Sequence, residues 1–176
     1  MGRVILLLLA VAAPAKGWSW EGEVGAGIAS SNIPTTAPAV NGRLGLTLSH
    51  TALSLRALVI PGGDSFSGWM ALSELRLHTG EWLGPGRLHL ALAAGVGREI
   101  SASAPPFRDG TPGGVEVGHF GPALLASTGA AIKIGALALS ADVAAFWWTN
   151  VETTQGTAPV NGGLGAMAVL CVGVLP

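Results

Sequence analysis

Alternation of apolar and polar residues is the feature that most constrains what this chain can fold into. In the segment 87–98, Leu88, Leu90 and Leu92 alternate with charged, imidazole or small side chains. Successive side chains of a β-strand point to opposite faces, so a period of two predicts a strand with one apolar and one polar face. Eight segments are predicted as strands on this basis: 18–29, 42–49, 52–60, 68–79, 87–98, 119–130, 136–147 and 163–174. In 119–130 and 163–174 the alternation is weaker, and the sequence does not indicate which residues share a face.

The lengths of these segments and of their connections predict the topology. Most segments are close to the about 9–11 residues that a tilted strand needs to cross a bilayer. Longer and shorter connections roughly alternate: 30–41, 61–67, 100–118 and 148–162 are the longer set, and 50–51, 80–86 and 131–135 the shorter. This pattern is typical of an eight-stranded antiparallel up-and-down transmembrane β-barrel with short periplasmic turns. The fold class is therefore all-β.

Composition favours a membrane barrel over a soluble one. Only 11% of the residues are charged and 49% are hydrophobic, whereas about 25% are charged in soluble domains. The alternative is a soluble, periplasmic lipocalin-like barrel, whose leucines would face inward around a small apolar ligand. The two interpretations predict opposite faces. The net charge of −1 gives no reason to expect nucleic-acid binding, and no cofactor is expected.

The polar face carries balanced charges. An isolated charge inside a narrow barrel is very unfavourable, so charges there have to be paired. We therefore predict an interior charge network whose members are Glu21, Glu23, Arg43, Arg56, Glu74, Arg76, Arg87 and Asp142.

All six tryptophans lie near the ends of predicted strands. An indole suits a membrane–water interface because one part is apolar and its N–H donates a hydrogen bond. We predict two aromatic girdles, with Trp18, Trp20 and Trp82 at the periplasmic rim and Trp69, Trp147 and Trp148 at the outer rim.

The N-terminal residues have the pattern of a signal peptide. Arg3 precedes an apolar run, Val4 to Ala13, and Ala13-Pro14-Ala15 offers small residues at the positions where signal peptidase cleaves. We expect a signal peptide at 1–15, a barrel domain at 16–176, and export to an outer membrane of the Gram-negative type.

No catalytic or metal-binding residues are assigned. His78 and His89 share the polar face of adjacent strands, but a metal site needs three or four ligands. His119, Ser127 and Asp142 supply the residue types of a hydrolase triad without the sequence context of a nucleophile. A lipid A-modifying outer-membrane hydrolase or acyltransferase therefore remains an alternative function. In the predicted connection 100–118, Phe107 and Arg108 form an aromatic–basic pair that is a candidate for contact with a partner.

The mature chain resembles the small eight-stranded outer-membrane proteins of the OmpX or OmpA-barrel kind. The resemblance covers most of the chain and rests on architecture. It implies an environment of outer-membrane lipid, insertion by the barrel-assembly machinery, and a monomer of structural or recognition function. In that class the last strand usually ends in an aromatic residue, whereas this chain ends Cys171-Val-Gly-Val-Leu-Pro176.

Overall fold

Eight antiparallel strands form a closed barrel in the computed structural model. It describes residues 17–31, 36–61, 67–79, 86–101, 117–149 and 162–176, with backbone only at 31, 67, 99–101, 117–120, 149 and 162. The strands are β1 Trp18–Ser31, β2 Thr36–Leu48, β3 Thr51–Ile60, β4 Ser67–His78, β5 Gly86–Ser101, β6 Val117–Ile134, β7 Leu137–Thr149 and β8 Gly162–Val174. Each strand pairs with the next, and β1 pairs with β8. This confirms the predicted fold class. In the described ranges no helix is long and apolar enough to cross a membrane.

The register of the barrel sets the tilt of its strands. Paired residues traced once around the barrel from Glu21 of β1 lead back to β1 at Ser31, a shift of ten residues from 21 to 31. With eight strands and ordinary strand spacing, this shift inclines the strands by about 40° to the barrel axis. We call the end that carries the connections after β1, β3, β5 and β7 the loop end. The other, which carries the first and the last described residues, 17 and 176, is the turn end.

Two strand boundaries, the start of β2 and the end of β6, differ from the prediction by four residues or more, and both involve proline or glycine. β2 begins at Thr36, although 30–41 was predicted to be a connection because of its proline and serine. Pro38 has a partner on one side only: it pairs with Ile28 of β1, and the described pairing of β2 with β3 begins only at Val40. A proline N–H is therefore not required there. β6 extends to Ile134, so the predicted turn at 131–135 lies too early. The turn starts at Gly135, whose φ of +63° suits glycine.

The leucine-rich face points outward on every strand where it was identified. Leu55, Leu92 and Leu170 are 64%, 68% and 72% exposed, and large apolar side chains surround the barrel. A soluble protein rarely leaves so large a continuous apolar surface uncovered. The lipocalin-like alternative is therefore wrong about the faces, because these leucines do not line an internal cavity.

The interior has two unlike halves. Toward the turn end it is filled by charged and polar side chains. Toward the loop end it is apolar, with a buried cluster that includes Leu58, Ile60, Met70, Phe146, Trp148 and Met167. Apolar side chains therefore occupy both faces of the strands near the loop end. For this reason the alternation is weak in β6 and β8.

Candidate functional site

The charged half of the lumen is organised around Arg43 of β2. Its guanidinium reaches three carboxylates from three different strands: Glu23 at 2.7 Å, Glu74 at 3.0 Å and Asp142 at 3.0 Å. All four side chains are almost completely buried. A guanidinium has five N–H donors in a planar fork and therefore can bridge several carboxylates at once.

Arg56 of β3 forms a second bridge across the lumen. Its guanidinium lies 2.9 Å from Glu74 and 3.6 Å from Asp142. It also donates hydrogen bonds to the Asn41 side-chain oxygen at 2.8 Å and to the Ser127 hydroxyl at 3.1 Å. Because Ser127 lies on β6, this arginine links the two sides of the barrel through its interior.

Arg76 of β4 forms further ion pairs nearer the turn end. It pairs with Glu21 and, at 3.2 Å, with Glu23. The same carboxylates accept hydrogen bonds from Thr47 at 2.7 Å and from Ser140 at 2.6 Å. Arg87 is also buried on the lumen face of β5. The structure thus places all eight residues of the predicted network inside the barrel.

Sequence reasoning missed the neutral members of this network and one histidine. These are Asn41, Thr47, Ser54, Ser127, Ser140 and His89. For Thr47, Ser54, His89 and Ser140 the available signal was parity, since each lies on the same alternating face as a charged residue of its predicted strand. Asn41 lay in a predicted connection and Ser127 in a segment of undetermined parity, so no such signal was available for them. The hydrogen bonds of all these side chains satisfy carboxylate and guanidinium groups that burial has removed from water, which keeps the burial of these charges tolerable.

A glycine lets the His89 side chain reach Asp142. His89 on β5 and Asp142 on β7 are separated by β6, where Gly129 pairs with both of them. The His89 Nε2 atom lies 2.9 Å from Asp142 Oδ1. A Cβ atom on Gly129 would lie 2.8 Å from the imidazole and closer still to the carboxylate. The contact therefore depends on the missing side chain at 129.

Replacing Gly129 with alanine is expected to cost about 1–3 kcal/mol of unfolding free energy, because the added methyl overpacks the lumen. Urea unfolding of the refolded barrel, followed by tryptophan fluorescence, measures this. Gly42→Ala is the matched control, since a Cβ at this outward-facing glycine meets nothing within 4 Å. Equal stability of the Gly129 and Gly42 variants would contradict the proposed role of Gly129.

The structure places the described residues that suggested catalysis in the ion network, and it brings the two candidate metal-binding histidines side by side. The Ser127 hydroxyl accepts from Arg56 and Asp142 pairs with arginines and His89. The side chain of His119 lies outside the described residues. His78 and His89 are register partners on the lumen face, and no group of three or more metal-binding side chains occurs in the described part of the chain.

The described tryptophans fall at the strand ends, with one difference from the prediction. Trp20 near the turn end is 38% exposed, and Trp69 and Trp147 near the loop end are 36% and 38% exposed. Trp18 is partly exposed at the start of β1. Trp148 is only 6% exposed and points into the lumen, so the prediction that it belongs to the outer girdle is wrong. Adjacent residues of a strand face opposite sides, and therefore Trp147 and Trp148 cannot both face lipid.

Trp148 instead forms part of the apolar loop-end half of the lumen. Its ring stacks on that of Phe146 with centroids 5.3 Å apart. The partners of these two residues on β8 are Gly163 and Gly165, where a Cβ atom would collide with the rings. The glycines of β8 thus create the space that the two aromatic side chains occupy. Trp82, Phe107, Arg108 and the predicted signal peptide lie outside the described residues.

Comparison with known proteins supports the fold. No protein-family model and no curated protein sequence matches the chain. Neisserial surface protein A (NspA) has a similar structure, with a TM-score of 0.64 and 12% identity over 92% of this chain and 98% of that one. The N-terminal β-barrel domain of Pseudomonas aeruginosa OprF aligns with a TM-score of 0.49 and 17% identity over 88% of this chain and 96% of that domain. The chain resembles the small eight-stranded barrels of the outer membrane.

Proposed function

We propose that this protein is a closed, non-conducting β-barrel of a Gram-negative-type outer membrane that holds the connections of its loop end at the cell surface. In this proposal residues 1–15 direct export, the barrel-assembly machinery inserts the chain, and the barrel works as a monomer in outer-membrane lipid. The observation that carries the proposal is the pairing of an apolar exterior with a filled, ion-paired interior.

The apolar exterior has a height that suits a membrane. On β5 every outward-facing position from Leu88 to Val96 is apolar, and Arg98 is the next one toward the loop end. Nine residues inclined by about 40° rise about 20 Å along the barrel axis, which approaches the about 25 Å apolar band of outer-membrane barrels. The exposed indoles of Trp20 and Trp69 lie toward opposite ends of this band.

The filled interior supports a barrel that does not conduct. The arginine–carboxylate bridges cross the lumen near the turn end, and the stacked Phe146 and Trp148 occupy the loop-end half. Eight-stranded barrels have room only for packed side chains, in contrast to the wide porins.

Such a barrel serves as an anchor, and its connections are the part available for recognition. The segment 102–116 contains Phe107 and Arg108, which we propose as contact residues for a partner. Deleting 105–113 is expected to leave insertion intact and to reduce binding of cells to that partner. Unchanged surface attachment and pull-down would argue for a purely structural function.

Among the described residues, the triad candidates Ser127 and Asp142 both serve the ion network, so the geometry gives no support to the hydrolase alternative there.

Fractionation of cells expressing the full chain tests the proposal. The protein is expected in the outer membrane and, on an unboiled gel, to migrate differently from the boiled sample. The purified barrel in a planar bilayer is expected to give no discrete conductance steps. Recovery as a soluble periplasmic protein would overturn the membrane assignment, and regular conductance steps would overturn the closed lumen.

A further inference from the structure

An apolar groove crosses the outside of the barrel at mid-height. Gly42, Ala57 and Ala71 are partners on the neighbouring strands β2, β3 and β4, with Val24 and Val96 at the two ends of the row. These small side chains lie in a depression of about 820 Å³ that continues across β1 onto β8 and is bordered by larger side chains such as Leu44, Leu55 and Val172. A Cβ placed on Gly42 meets no atom within 4 Å. The apolar exterior of the barrel is therefore recessed at this row, by about the length of one large side chain.

An arginine lies on the loop-end side of this groove. Trp69 and Arg98 form the next outward-facing pair beyond Ala71 and Val96. Because the strands are inclined by about 40°, Arg98 of β5 lies above Ala71 of β4, nearer the loop end by about 8 Å. Arg98 is exposed, and Trp69 beside it is 36% exposed. Within the described ranges, Arg98 is the exposed cation at this rim, while Lys133 lies at the opposite one.

We propose that the groove and Arg98 together bind one lipid of the outer leaflet, a phosphorylated and multiply acylated lipid of the lipid A type. The inference rests on the proposed outer-membrane location. A guanidinium forms paired, charge-assisted hydrogen bonds with phosphate oxygens, and Arg98 lies at the depth of the headgroups, just beyond the apolar belt. An acyl chain that descends from a headgroup held there lies over Ala71 and Ala57. In the recess the acyl chain packs closely against the wall of the barrel and gains dispersion contacts that loosely placed lipid lacks.

Arg98 and the groove would contact different parts of this lipid, so their contributions to binding can be tested separately. Arg98 selects the phosphate, and the groove selects the acyl chain. Arg98→Gln removes the charge and leaves the groove unchanged. Ala71→Leu fills the groove and leaves the arginine unchanged. The matched controls are Lys133→Gln, which removes a cation at the other rim, and Ala141→Leu, which enlarges an exposed alanine of β7 outside the groove.

Native mass spectrometry of the purified full-length barrel, titrated with bisphosphorylated lipid A or with dephosphorylated lipid A, tests the inference. One lipid per barrel is expected, with binding of the bisphosphorylated form weakened about ten- to hundredfold by Arg98→Gln, as for the loss of a charge-assisted hydrogen bond. Ala71→Leu is expected to weaken both forms of the lipid. The two control variants are expected to bind like the unaltered protein.

The outcomes distinguish this inference from the proposed function. If the barrel is heat-modifiable and inserts into bilayers, but neither Arg98→Gln nor Ala71→Leu alters lipid binding, the lipid site is overturned and the membrane barrel stands. A spectrum of dimers that Ala71→Leu converts to monomers would also overturn it, because the groove would then bind a second copy. A chain that never enters the membrane contradicts the proposed function itself.

Discussion

Replacing Leu92 with arginine is expected to destabilise the bilayer-embedded barrel by about 2–4 kcal/mol, the cost of a cation on the lipid face at the middle of a membrane. Leu92 is 68% exposed and lies midway along the apolar run of β5. In lipid the new guanidinium has no water to solvate it, whereas in a water-exposed barrel the same change would be nearly neutral. The variant therefore reports which solvent surrounds the outer face.

The measurement is reversible urea unfolding of the barrel refolded into lipid vesicles, followed by tryptophan fluorescence. Leu48→Arg is the matched control. Leu48 is also an exposed leucine, but it lies at the end of β2 at the turn-end rim, where an arginine costs about 0–1 kcal/mol. Equal effects of the two substitutions would show that the leucine face is not in contact with hydrocarbon.

Replacing Arg43 with methionine is expected to cost about 3–5 kcal/mol, because it leaves buried carboxylates without their shared cation. Arg43 contacts Glu23, Glu74 and Asp142 within 3.0 Å, and its own side chain is inaccessible to solvent. Methionine fills much of the same volume, so the loss is chiefly electrostatic. The same unfolding assay in vesicles measures it.

A double-mutant cycle separates the charge effect from the packing effect. Adding Asp142→Asn to Arg43→Met is expected to recover part of the lost stability, since one uncompensated carboxylate is then neutral. Interaction energies of about 0.5–3 kcal/mol are typical of residues in one ionic network. Strict additivity of the two substitutions would contradict the coupling between Arg43 and Asp142. A matched pair outside the network, Gly42→Ala with Ala141→Leu, is expected to be additive.

The two predictions concern opposite faces of one wall. The stability of the proposed membrane barrel depends on contact between its outer leucines and hydrocarbon. It also depends on ion pairs between the buried arginines and carboxylates inside. Ion pairs occupy one half of the lumen and the stacked Phe146 and Trp148 occupy the other. This arrangement suits the proposed function, in which the barrel anchors its connections.

The number and approximate positions of the strands, and the charged residues that line the lumen, were predictable from the sequence. Alternation specifies the two faces of a strand wherever one face is leucine and the other charged or small, as in 42–49 and 87–98. The balance of four acidic residues and four arginines on one face indicated the network, because charges in a narrow interior have to be paired.

Only the tertiary structure decided the remaining features. The parity of β6 and β8 was undetermined, since both faces are apolar where the lumen is apolar. The space that Gly163 and Gly165 leave for Phe146 and Trp148, the contact of His89 with Asp142 across Gly129, and the groove beneath Arg98 all depend on which residues are partners around the closed barrel. Register and shear are properties of the whole closed sheet, and local alternation specifies neither of them.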